Sequence, residues 1–513
     1  MKLQSACLRR TVLASAIILV SGLPATTVLA ASGGAGRGLS ADTRFYLPPP
    51  SQGAIQQVAD LLRHRDFADA ALIARMESIP QAVWLTGETS AQAAEGANGA
   101  VAADRDVERQ VRDAVQAARW QQAVAVLVAY NIPGRDCSQY SAGGAPSDAA
   151  YEQWIGSFAR GLGSAKAVVI LEPDALANLP SDCGAAYQAA NPQITDATRE
   201  ADVAYAVAAL EKDPNAGVYI DAGHSAWQSV GTIAQRLLAA GVQQAQGFFL
   251  DVSNYQYAGN NVAYGTWVSD CIAYGTVVNP DDGNLSADCP NQYWNGGPAT
   301  NWNGTALIPF AVWSDSAADL DANISGIDSR YASMLGSVSA STHFVIDTSR
   351  DGRGPNSMQV YSVSPYNQAS DPLVAMTQGT YTWSQYVPAG IIATLVAGNW
   401  CNPPASGTGI LPTANTAKIS PLLDAYLWVK TPGQSDGQCD AAGGVRAWDD
   451  SSYSPSVTGW PASNPPSSTY QTFDPLWSLE TGTVLTDPAA GAWFPQQALQ
   501  LARDASPALP RYP

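Results

Sequence analysis

Seven short, almost wholly apolar runs, each handing over to polar or charged residues, constrain this 513-residue chain more than anything else in it. They span residues 82–85, 123–130, 167–171, 217–220, 247–250, 344–346 and 425–429. Runs of this length, rich in Val and Ile, suit strands buried on both faces of a parallel sheet. Residues 51–77 (Ile55, Val58, Leu61, Leu62), 151–162, 201–212 and 229–240 carry helical spacing instead. Strand–helix alternation predicts an α/β fold. The runs hand over to Asn131…Asp136, Glu172-Pro173-Asp174, Asp221-Ala222-Gly223-His224, Asp251…Asn254, Asp347…Arg350 and Lys430…Asp436. One such Asp is accounted for by capping the next helix. A series at the carboxyl end of a sheet predicts a shared site, because (β/α) barrels assemble their active sites there.

The start of the chain reads as a secretion leader over residues 1–30. Lys2, Arg9 and Arg10 precede an apolar stretch over 11–23, and Val28-Leu29-Ala30 supplies small residues for cleavage. That stretch is too short to span a bilayer, so no membrane association is expected. Residues 31–50, ending in Leu47-Pro48-Pro49-Pro50, read as an extended lead-in, and 51–513 as one domain, since no linker or fixed-period repeat divides them. Cys7 falls in the leader. The other cysteines, Cys137, Cys183, Cys271, Cys289, Cys401 and Cys439, form an even set that reads as disulfides, the pairing left open by spacing. No two lie two to four residues apart, and His64, His224 and His343 are scattered, so neither metal nor cofactor is expected. Asp281-Asp282-Gly283-Asn284…Asp288 does not fit the EF-hand spacing and reads as a solvated loop.

The net charge is −18 with the basic leader still counted, a surface that repels phosphate backbones and excludes nucleic acid as a partner. Only 14% of residues are charged, against 15 Trp and 21 Tyr, which suits an uncharged polar ligand that stacks on aromatic faces. Several carboxylates with few histidines favour glycosidic bond hydrolysis. That reaction needs one protonated carboxyl at the leaving oxygen and a carboxylate to deprotonate the attacking water, directly or through a water chain. The acid needs a pKa raised by burial or by a neighbouring carboxylate, and Asp136 and Asp174 end consecutive strands. A Gly-x-Ser-x-Gly elbow, a P-loop and a dinucleotide fingerprint are absent.

Tyr130-Asn-Ile-Pro-Gly-Arg135-Asp136-Cys137-Ser-Gln-Tyr-Ser141 and Ile170-Leu-Glu172-Pro173-Asp174 resemble the two signatures of glycoside hydrolase family 6. The resemblance continues through Tyr219–Trp227, Val252–Tyr255, Ile346–Arg350, Trp400–Pro403, Trp428–Gly437 and Ala490–Phe494, covering roughly Ser51 to Pro513. It implies a distorted (β/α) barrel of about seven parallel strands and a secreted cellulase acting on β-1,4-glucan with inversion. Asp174 corresponds to the proton donor. Asp136 corresponds to the carboxylate that keeps the donor protonated and helps the water lose its proton, and Asp436 to a proposed base of contested role. Tyr130 would press on the sugar in the cleavage subsite. Trp84, Trp227 and Trp400 match stacking positions; Ser141, Asp221, His224, Asn254 and Lys430 match polar contacts. Thr86 and Gln434 stand where relatives have Asp and Glu, and Asp251 where Asn is frequent; Gln434 can still hydrogen-bond a hydroxyl. Arg135 reads as a structural partner of a carboxylate. The family's cysteine positions imply Cys137–Cys183 and Cys401–Cys439, which leaves Cys271 with Cys289. The expected partner is cellulose or another β-1,4-glucan, met by a monomer.

Two long connections leave carboxyl ends of strands, Tyr255 to His343 (with Trp267, Trp294, Trp302 and Trp313) and Arg350 to Trp400. Loops this long are usually functional when ordered, so they are expected to roof the cleft into a tunnel lined by extra tryptophans. Among family members that arrangement implies a cellobiohydrolase releasing cellobiose from non-reducing chain ends. An endo-β-1,4-glucanase is the alternative, and a non-catalytic carbohydrate-binding protein a lesser one, since all three carboxylates are present.

Overall fold

The computed structural model describes residues 38–87, 107–281, 283–293, 306–308, 311–316, 318–319, 322–355, 400–403, 406–438 and 487–511. The apolar runs become strands β1 (Val83–Thr86), β2 (Ala125–Tyr130), β3 (Ala167–Leu171), β4 (Ala216–Asp221), β5 (Gly247–Leu250), β6 (His343–Asp347) and β7 (Leu423–Leu427). All pair in parallel, each beside its chain neighbour, in one seven-stranded sheet. The runs are continuous because alternate residues are buried on opposite faces. Ala125, Leu127 and Ala129 join an outer core with the helices, whereas Val126, Val128 and Tyr130 join an inner core with Val168, Ile170, Tyr219, Phe249, Val345 and Leu427.

Helices Asp148–Leu162, Asp196–Leu210 and Val230–Ala239 occupy the expected places, and each starts at a hydroxyl cap, Ser147, Thr195 and Ser229. The helical stretch over 51–77 is two helices, α1 (Gln52–His64) and α2 (Phe67–Met76). The break falls at Arg65, which turns left-handed (φ 68°) and donates its N–H to the carbonyls that end α1. Helices Val107–Trp120, Ala258–Ala273, Ser325–Leu335 and Pro495–Arg503 were not anticipated. Of the expected lead-in only residues 38–50 are described, and these are docked: Phe45 bridges Val124, and Phe45 and Tyr46 are buried.

Beside β1 and just past β7, Ala82 N–H donates to Trp428 O (2.9 Å) and Trp84 Nε1–H to Val429 O (2.8 Å), and Ala82 and Trp84 join the inner core with Leu427 and Val429. Behind this seam α1, α2 and the helix Pro495–Arg503 form a third core around Trp428, with Ala54, Ile73, Met76, Ala498 and Leu501. Gln57 of α1 donates to Pro495 O and accepts from Trp493 Nε1, both at 2.8 Å. A Cβ at Gly53 would lie 2.3 Å from Trp493, so only glycine permits this approach.

Candidate active site

Every strand from β2 to β7 delivers a carboxylate at its carboxyl end. After β2, Asp136, Cys137 and Ser138 are all left-handed (φ 53°, 47° and 61°), a run that L-residues adopt only when surroundings enforce it. Here Arg135 Nε donates to Ser141 O (2.8 Å) and Nη1 to Tyr130 O (2.9 Å), while Cys137 is bridged to Cys183. Asp136 Oδ2 accepts the Ser141 N–H at 2.6 Å. Arg135 is therefore structural, but it works through carbonyls and the Tyr130 ring (4.4 Å) as well as the charges of Glu172 and Asp136.

Asp174 stands in a second left-handed turn (φ 68°) held from both sides by buried carboxylates. Glu172 accepts the N–H groups of Asn131 and Ile132, tying β3 to the loop after β2. Asp221 accepts from Leu176, Ala177 and Gly223, tying β4 to the turn that follows Asp174. Burial, then the charges of Asp221 and Asp136, hold the Asp174 carboxyl well above the carboxylate range, against the pull of Lys430. Burial also pushes Asp136 up, to about 6, opposed by the Ser141 N–H, Arg135 and Lys430. Of the two carboxyls, Asp174 therefore holds its proton more strongly and Asp136 ionises more readily.

Asp436, after β7, is locked. Arg350 Nη1 reaches both its oxygens (2.8 and 2.9 Å), Tyr255 OH donates at 2.9 Å, the Asn402 N–H at 3.0 Å, and Lys430 Nζ lies 3.5 Å away. Its lone pairs are committed to donors.

A cavity of about 530 Å³ opens among these groups, lined by Trp84, Tyr130, Asp136, Ser141, Asp174, His224, Trp227, Asn254, Trp400, Lys430 and Asp436. Trp84 meets Tyr130 edge-on (5.4 Å), Trp400 leans on Tyr140 (5.9 Å) and Trp227 on His224 (5.4 Å). His224 Nδ1 accepts the Ala226 N–H, and burial pushes the ring pKa to about 3, so a neutral imidazole offers its Nε2–H. Two expected contact residues are not brought to this lining. Asp221 is consumed by backbone N–H groups, and Gln434 is buried in an antiparallel bridge with Trp493. Gln139, Asn178, Ser253 and Gln256 line the cavity without having been singled out; Arg350, Tyr255 and Asn402 stand behind that lining, as partners of Asp436. Arg350 shared the positional signal of the other strand-end residues; Asn402 had none beyond its neighbour Trp400.

The expected tunnel walls differ in the described residues. None from 258 to 342 lines the cavity; Trp267 and Trp313 are buried and stacked on each other (5.6 Å) in the outer core. Trp294, Trp302 and residues 356–399 lie outside the described residues. Cys271 pairs with Cys289; Cys401 is disulfide-bonded, and its expected partner Cys439 is outside the described residues.

The model of glycosyl hydrolases family 6 matches residues 40–505. Endoglucanase 1 of Streptomyces halstedii is 30% identical over 406 residues, 79% of this chain and 84% of that protein. Exoglucanase A of Cellulomonas fimi is 25% identical over 494 residues, 90% of this chain and 49% of that longer protein. The catalytic core of a cellobiohydrolase from Chaetomium thermophilum shares the fold, with a TM-score of 0.51 at 18% identity over 91% of this chain and 98% of that one.

Proposed function

The chain belongs to glycosyl hydrolase family 6, and from that membership we propose that it is a secreted cellulase that hydrolyses β-1,4-glucosidic bonds with inversion. One observation carries the proposal: Asp174, whose carboxyl is pushed well up by burial and by the charges of Asp221 and Asp136, shares a Trp-lined cavity with Asp136, a carboxyl raised only to about 6. Asp174 gives its proton to the glycosidic oxygen as the C1–O bond breaks. Water adds to C1 from the opposite face, and its proton passes to Asp136, directly or through a second water. Asp436 is assigned a different part. With Arg350, Tyr255, Asn402 and Lys430 on its oxygens it is an anionic anchor for the two cations, not the proton acceptor. The carboxylate arrangement also argues against a purely carbohydrate-binding role.

Within this reading the action is that of a cellobiohydrolase releasing cellobiose from non-reducing ends. Support comes from the alignment with exoglucanase A over 90% of this chain at 25% identity, whereas endoglucanase 1 of Streptomyces halstedii aligns over 79% at 30% identity and favours the other mode. A second reading, endo-cleavage, is favoured by the cavity lining, to which the described residues of 258–342 add nothing. Swollen cellulose and carboxymethylcellulose separate the two. Cellobiose as the main soluble product with slow viscosity loss per bond cut is expected; a rapid viscosity drop with mixed oligosaccharides would establish the endo mode. Proton NMR should show the α-anomer first, and initial β-anomer would overturn inversion. We further read residues 1–30 as a cleaved leader and 51–513 as the catalytic unit. Amino-terminal sequencing of the exported protein should begin near Ala31.

A further inference from the structure

The loop between β4 and helix Val230–Ala239 carries His224 and Trp227 into the cavity yet has no regular structure of its own. A buried irregular loop needs external partners for its carbonyls. The β5–β6 connection supplies them. The Gln292 amide places one Nε2–H on Ser225 O (3.1 Å) and the other on Gln228 O (2.9 Å), and Tyr293 OH donates to Trp227 O (2.6 Å). Gln292 is 1% exposed, held by Leu307 N–H on its own carbonyl, and it follows Cys289, which is bridged to Cys271. The donors thus come from a stapled segment that lines none of the cavity itself.

We propose that Gln292 and Tyr293 are positioning residues for the substrate, setting the Trp227 ring so that the segment after the Cys271–Cys289 bridge tunes sugar affinity in that part of the cleft without touching the sugar. This rests on the reading of Trp227 as a stacking platform. A platform remote from the breaking bond contributes binding that is equal in the ground and transition states, so its misplacement raises KM and spares kcat. The experiment measures kcat and KM for cellohexaose in the full-length protein, with Gln292→Leu, Tyr293→Phe and Trp227→Ala alone and in pairs. Gln292→Leu should raise KM about tenfold and Tyr293→Phe about threefold, with kcat within about twofold. Neither should add to the loss in the Trp227→Ala background, because they act through that ring. Unchanged KM in both variants, or losses that add fully to Trp227→Ala, would overturn the proposal. Tyr293→Phe keeps a half-exposed ring and decides the matter if Gln292→Leu does not fold. A parent protein that leaves cellohexaose intact would instead sink the cellulase reading.

Discussion

Replacing Arg350 with Met tests the anchor directly, because it strands a charge whose surroundings are known. Arg350 has no solvent exposure, bonds both oxygens of Asp436 at 2.8 and 2.9 Å, and lies 4.1 Å over the Tyr255 ring. Removing one partner of a buried ion pair costs about 3–5 kcal/mol. Lys430 stays 3.5 Å from the carboxylate, and Tyr255 OH and the Asn402 N–H still donate, which places the electrostatic loss near the lower end. The lost cation–π contact adds about 1 kcal/mol, for a total near 4 kcal/mol, roughly a thousandfold in the folded-to-unfolded ratio. Urea unfolding followed by far-ultraviolet circular dichroism reads this out. Arg350→Met with Asp436→Asn should recover most of the stability, since neither charge is then stranded. A single variant within about 1 kcal/mol of the parent, or a double variant no better than the single, would refute the reasoning. Asp436→Asn alone should lose activity that added azide or formate does not restore, because no proton acceptor has been removed.

Asp174→Asn should slow cello-oligosaccharide hydrolysis by about 10²–10⁴-fold and leave substrates with activated leaving groups much less affected; equal losses would take the acid role from Asp174. In kcat/KM against pH, activity should fall as pH drops through about 6, where Asp136 gains a proton, and fall again as pH rises through the elevated value of Asp174. Lys430→Met removes a charge that lowers both groups, so the whole profile should move to higher pH; a fixed profile would refute that coupling. The Cys271–Cys289 bridge closes a separation of 18 residues, for which loop closure predicts about 3 kcal/mol, so Ser at both positions should lower the thermal midpoint. Non-reducing peptide mapping should join Cys401 to Cys439.

The strands were legible because burial on both faces leaves no polar interruption, as in 125–130 and 167–171. Helix Val107–Trp120 was not anticipated, although its buried stripe of Val107, Val111, Ala114, Val115 and Ala118 recurs at helical spacing. Residue type placed Asp136, Asp174 and His224 at the site, but it does not say which way a carboxylate faces. Asp221 bonds backbone 44 and 45 residues away, and the Gln434 backbone is bridged to Trp493 outside the cavity lining. Trp267 and Trp313 show the same gap: a tryptophan in a long connection packs into a core or faces a ligand according to tertiary contacts that periodicity does not encode. The partners of Asp436 lie 86, 34 and 181 residues away along the chain, beyond any local pattern.

The seam between β1 and β7 sets an order of events during synthesis. Helices α1 and α2 leave the ribosome first, yet the apolar faces of Ala54, Ile73 and Met76 are completed by Trp428, Ala498 and Leu501, made last. Gln57 waits for a carbonyl 438 positions downstream. Contacts so distant along the chain form late and slowly. A nascent chain interrupted before Pro495 therefore has the partners of the β1–β7 hydrogen bonds but leaves Ala54, Ile73 and Met76 without Ala498 and Leu501. Such an uncovered apolar face is a place where chaperones or neighbouring chains attach. The helix Pro495–Arg503 is the part that covers that face.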